Sequence, residues 1–94
     1  MGKLHVIKDY HKLDILVQQQ IKLNYPEGFE DHLISFKNKE GLTVSALPFE
    51  TESHYYLVRM TTLQAQIIIE DDGDYDSDGN LHDTIKEELS DKFD

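Results

Sequence analysis

Asp74-Tyr75-Asp76-Ser77-Asp78-Gly79 sets a carboxylate at every second position and ends on glycine. Alternate carboxylates in a curled loop converge on one point, and two kinds of chemistry use that convergence. One is a hard cation: Ca²⁺ takes about six to eight oxygens at roughly 2.3–2.6 Å. The other is a cationic protein surface, drawn in by the summed field of the acids. The run continues upstream through Glu70, Asp71 and Asp72, so six acids fall within nine residues.

The charge of the chain is concentrated there. The 94 residues carry 19 Asp+Glu against 9 Lys+Arg, a formal net charge of −10. Residues 1–69 are nearly balanced, with eight acids and seven bases. From Glu70 onward stand eleven acids and only Lys86 and Lys92. Like charges this dense repel one another until a cation or a basic partner neutralises them. The leading expectation is therefore a small non-enzymatic binding or regulatory protein that engages a basic protein partner. Asp71, Asp72, Asp74, Tyr75, Asp76 and Asp78 are its expected contact residues. Steering by the acids would come first and aromatic or aliphatic contact second. Imitation of nucleic-acid phosphates by the same acids is a sub-case, although one loop and one helix make a short stripe.

The alternative is a metal. Asp74, Asp76, Asp78 and the backbone carbonyl of Asn80 are the candidate ligands, and Ca²⁺ is the cofactor they suit. Over about eight residues the segment resembles an EF-hand calcium loop, with Gly79 at the sharp turn and apolar Leu81 two positions on. It then departs from the pattern. The twelfth loop position is Ile85, where that family places a bidentate Glu, and Glu87 and Glu88 come later. Gly73 precedes the loop where an entering helix would present an apolar side chain. Such a site would bind weakly, with Kd of about 10⁻⁴–10⁻³ M. The local alternative is structural, since Ser-Asp-Gly is common turn chemistry and Asp before a helix is a common cap.

Other chemistries find little support. The chain has no cysteine, which removes thiol nucleophiles, disulfides and Cys-based metal sites and suits a cytoplasmic location. The five histidines show no ligand spacing. No G-x-S-x-G or comparable catalytic constellation is present. Arg59 is the single arginine, expected in a surface ion pair rather than as an anion anchor. A pI near 4.7 argues against direct binding to nucleic acid or to an anionic membrane. No apolar run approaches membrane-spanning length. The amino-terminal stretch lacks a signal-peptide core, and Val6 stands where a myristoylation motif needs Ser or Thr.

The elements that must position these groups are legible from periodicity. Leu13, Leu16, Val17 and Ile21 fall at helical spacing, which predicts a helix over about 9–23 with Gln18, Gln19, Gln20 and Lys22 on its polar side. Asp9 or Asp14 is its expected cap, and Pro26 its stop. Residues 32–38 and 42–49 read as a hairpin around Gly41, with Pro48 at an edge or exit, and residues 54–60 as a third strand. Leu4 to Ile7 reads as an edge strand or an extended lead-in. Residues 61–72 alternate like a strand, but Thr61-Thr62-Leu63-Gln64 fits a capping box, which favours a helix. Leu81, Ile85, Leu89 and Phe93 predict a last helix. The expected fold is a single α+β domain over 1–94. It is a small antiparallel sheet of three, possibly four, strands with two or three helices on one face, and the acidic segment 70–80 leads into the C-terminal helix. Thr43, Ser45 and His54 are expected to give the sheet a wetter face.

Overall fold

A computed structural model describes residues 2–93. Four strands and three helices follow one another: β1 (Leu4–Asp9), α1 (Ile15–Asn24), β2 (Ile34–Lys37), β3 (Thr43–Glu50), β4 (His54–Arg59), α2 (Thr62–Asp71) and α3 (Asp83–Phe93). Short 3₁₀ turns at Tyr10–Lys12 and Glu30–His32 connect them. The fold is α+β, with the helices packed on one face of the sheet.

The sheet order is β1-β4-β3-β2. The predicted hairpin forms with Ile34 opposite Ala46 and Phe36 opposite Val44. Its turn is closed by the Asn38 side chain, which accepts from the N–H groups of Glu40 and Leu42, and by Gly41 at φ +79°. β4 returns antiparallel to β3. The fourth strand is the amino-terminal one, and it makes the sheet mixed rather than wholly antiparallel: Leu4–Asp9 runs parallel to His54–Arg59. A parallel pair needs a crossover, supplied here by everything between residues 10 and 53.

Residues 61–72 form a helix, not a strand. The capping box is complete: Gln64 N–H donates to Thr61 Oγ1 at 3.1 Å, and Thr61 N–H donates to Gln64 Oε1 at 2.9 Å. Two first-turn donors are thereby satisfied, a local term that outweighs the strand-like alternation of Leu63, Ala65, Ile67 and Ile69. The first helix is shorter than predicted. β1 runs through Asp9, and the helix starts only at Ile15. Asp14 takes the N-cap position without a side-chain cap bond, while Gln18 Nε2 donates to the carbonyls of Tyr10 and Leu13. Leu16, predicted on the buried side, is exposed. α3 begins two residues late because Leu81 pairs with Tyr75 in an isolated bridge.

Phe29 lies at the centre of the core, fully buried, with the rings of Tyr10, Tyr75 and Tyr25 at 5.5, 6.1 and 6.3 Å. Leu47, Phe49 and Val58 come up from the sheet; Ile21, Ala65, Ile69 and Leu89 come down from the helices. Pro48 is accommodated because β2 pairs with β3 only as far as Ala46, and the Pro48 carbonyl accepts the Tyr25 hydroxyl instead. One expectation reverses. Thr43, Ser45 and His54 share the helix-covered face with Leu47 and Val58, so the uncovered face is the apolar one.

Candidate functional site

The acidic segment is an ordered loop between α2 and α3. Tyr75 and Leu81 bridge its base, and His82 N–H donates to the Asp74 carbonyl at 2.9 Å. Inside it, Asp76 Oδ1 accepts from the N–H groups of Asp78 (2.9 Å) and Asn80 (3.0 Å). Gly79 closes the turn at φ +83°, a conformation that a side chain would strain. Leu81 N–H donates to the Pro26 carbonyl at 2.7 Å, pinning the loop against the segment that follows α1.

The six expected contact residues divide into groups. Asp72 and Asp74 turn inward to Lys22, whose Nζ lies 2.8 Å from Asp72 Oδ2 and 2.6 Å from Asp74 Oδ2. Lys22, predicted on the polar side of α1, is only 9% exposed. Burial disfavours its charged form, but the hydrogen bonds and charges of the two carboxylates outweigh that, and its pKa is raised. Tyr75 is a core residue, 5% exposed, with its hydroxyl donating to the Tyr25 carbonyl at 2.9 Å. Burial pushes its pKa up, with smaller contributions from Tyr10, Asp72 and Asp74. Asp71 is exposed at the end of α2. Asp76 and Asp78 remain at the surface and border a groove.

That groove, of about 490 Å³, joins three segments of the helical layer. Its volume falls within the roughly 300–1,000 Å³ of ordinary ligand sites. Glu70 and Gln66 come from α2, Glu27 and Glu30 from the turn after α1, and Asp76 and Asp78 from the loop. Phe29, Ala65, Ile69 and Tyr75 form an apolar floor. Among the described residues no Lys, Arg or His lines it. Gln66 Nε2 donates to Glu30 Oε2 at 2.6 Å, which ties α2 to the 3₁₀ turn across the groove. Gly28, at φ +100°, lets the chain pass close to the loop: a Cβ there would stand 3.6 Å from the Gly79 carbonyl oxygen.

Glu27, Glu30 and Glu70 were not among the expected contacts. Glu70 stood in the acidic run, but Glu27 and Glu30 carry no sequence signal beyond lying beside an element end, and nothing local brings residue 27 to residue 78. Three of the four candidate metal ligands, all but Asp78, already hold other partners. Asp74 is bonded to Lys22, Asp76 to two backbone N–H groups, and the Asn80 carbonyl to Asp76 N–H at 2.8 Å. Among the described residues no cluster of three or more His, Asp or Glu has metal-holding geometry. Arg59 makes its expected ion pair, with Nε 3.2 Å from Asp9 Oδ1.

Among the described residues no helix is long and apolar enough to cross a membrane. In comparisons with known proteins, no family model, no curated protein and no solved structure matches this chain.

Proposed function

We propose that this is a non-enzymatic binding or regulatory protein of the cytoplasm. Its acidic groove takes a lysine- or arginine-bearing segment of a basic protein partner. One observation carries the reading: five carboxylates (Glu27, Glu30, Glu70, Asp76 and Asp78) from three separate segments surround an apolar floor with no cation among them. Such a site suits the long basic side chains, whose methylene stems pack on apolar surface while the charged head stays among carboxylates. The wider field of the net charge of −10 adds steering towards a cationic surface and disfavours nucleic acid and anionic lipid as direct partners.

The test is fluorescence anisotropy with a labelled Lys/Arg-rich peptide and an acidic peptide of equal length as control. Binding of the basic peptide alone is expected, weakening as salt is raised. Glu27→Lys and Glu70→Lys are both on the groove and outside the loop's own hydrogen bonds. Each should weaken binding at least about tenfold, or 1.4 kcal/mol. Binding that ignores both reversals would reject the groove as the site.

A further inference from the structure

We propose that the uncovered face of the sheet is the interface at which two copies of this chain associate. The molecule measures 42 × 34 × 19 Å, and the short dimension holds one sheet and one helical layer. The helices cover the face of Leu47 and Val58. The other face carries Ile7 of β1, Leu57 of β4, Val44 and Ala46 of β3, and Ile34 and Phe36 of β2. Ile7 is 52% exposed and Ile34 40% exposed. No helix covers this face among the described residues; Ala46 is itself buried, the other five side chains are half-buried or exposed, and a patch of this kind is often functional.

Charge identifies the occupant. At one edge of the patch Lys3 pairs with Glu50 at 2.5 Å; within it, in the row of Ala46 and Ile34, Arg59 pairs with Asp9 at 3.2 Å. The two strand acids of this face are thus paired with bases, and the hairpin turn that borders it beside Ile7 and Phe36 adds Lys37 and Lys39 against Glu40, whereas the molecule as a whole carries −10. A basic partner gains nothing here. A second copy, repelled by the acidic groove and loop, meets no excess of acid on this face. None of the groove's lining residues belongs to a strand. Two sheets stacked about 10 Å apart place both helical layers on the outside, where salt screens their acids over about 8–10 Å.

The size also fits a second copy of a small chain. Four strands about 4.8 Å apart and roughly five residues deep give a face of about 19 by 17 Å. Docking two such faces about a twofold axis buries on the order of 1,000 Å² in total, the lower end of specific interfaces. The dimer is therefore reversible, with Kd of about 1–100 µM.

Sedimentation velocity from about 1 µM to about 1 mM tests this directly over that affinity range. The wild-type chain should pass from monomer to dimer. Added salt should leave the dimer intact or strengthen it, as apolar contact requires. Ile7→Glu and Ile34→Glu, each at an exposed position, should raise Kd at least about tenfold, whereas Glu70→Lys on the groove should not. A wild-type chain that stays monomeric throughout overturns the proposal, whatever the variants do. So does a dimer that a folded Ile34→Glu leaves unchanged, or one that dissolves in salt.

Discussion

The ammonium of Lys22 lies 2.6 Å from the carboxylate of Asp74, across 52 positions of sequence. With Asp72 on the same ammonium, one buried cation holds two acids of the densest anionic stretch in the chain against α1. This contact does two things. It withdraws two carboxylates from the surface, and it sets the start of the loop so that Asp76 and Asp78 face the groove.

Replacing Lys22 should therefore unfold more than a surface pair would. Lys22→Met leaves Asp72 and Asp74 facing each other with no cation between them. Full burial would make this cost about 3–5 kcal/mol. The two carboxylates are 20% and 35% exposed, so water recovers part of it and about 2 kcal/mol is expected. Lys3→Met, which breaks the exposed pair with Glu50, should cost under about 0.5 kcal/mol. Urea midpoints for the two variants, at unchanged m, check the ordering.

The same ammonium competes with any metal at the D-x-D-x-D-G loop. Asp74 already gives one carboxylate oxygen to Lys22, and the Asn80 carbonyl already accepts from Asp76 N–H, so each would ligate with only its remaining lone pairs. Ca²⁺ up to about 1 mM should shift the Gly79 and Asn80 amide resonances no more than Mg²⁺ does. A saturable, Ca²⁺-selective shift in the wild-type chain would restore the metal reading. In Lys22→Met the freed Asp74 should enhance any response.

How much of this was legible depended on range. The Thr61–Gln64 capping box and the Asn38–Gly41 turn are four-residue devices, and their residue types declare them. Strand alternation gave the two faces of β3 and β4, but could not say which one the helices cover. The face of Leu47, Phe49 and Val58 also carries Thr43, Ser45 and His54. These polar residues misdirect that choice, since alternation marks the two faces without marking which one the helices pack on. Lys22 looked like a solvated position between Ile21 and Leu23, because its partners are 50 and 52 residues away. The groove was half legible. The loop acids stood out as a run, whereas Glu27 and Glu30 joined them only through the Pro26–Leu81 contact and the fold of α2.

Alkali should unfold the protein by a shared mechanism. Lys22 is raised above its unfolded 10.5, and Tyr10 and Tyr75 are raised above their unfolded 10.0, chiefly by burial for the tyrosines. In each case the folded chain keeps a proton that the unfolded chain releases. The stabilisation is fully present below about pH 10 and is lost as pH climbs towards the folded values. Far-ultraviolet circular dichroism and tyrosinate absorbance should then change together above about pH 10. Complete ionisation of all tyrosines with the dichroism intact would contradict the burial of Tyr10 and Tyr75.

Stability and binding should separate at the two ends of α2. Thr61 caps its first turn and is exposed, away from the groove; Glu70, near its last turn, lines the groove and caps nothing. Thr61→Ala removes one side-chain acceptor and leaves Gln64 N–H to water, at a cost of about 1 kcal/mol. For a chain of this size that lowers Tm by about 4–8 °C. Basic-peptide affinity, measured well below Tm, should stay within about twofold, because α2 remains helical in the folded population. Glu70→Lys should do the opposite, with Tm changed little and affinity lost. It should even ease the like-charge repulsion of the acidic run as a whole. If Thr61→Ala weakens binding as much as Glu70→Lys, then the groove acts only through the position of α2, and its carboxylates are not the contact.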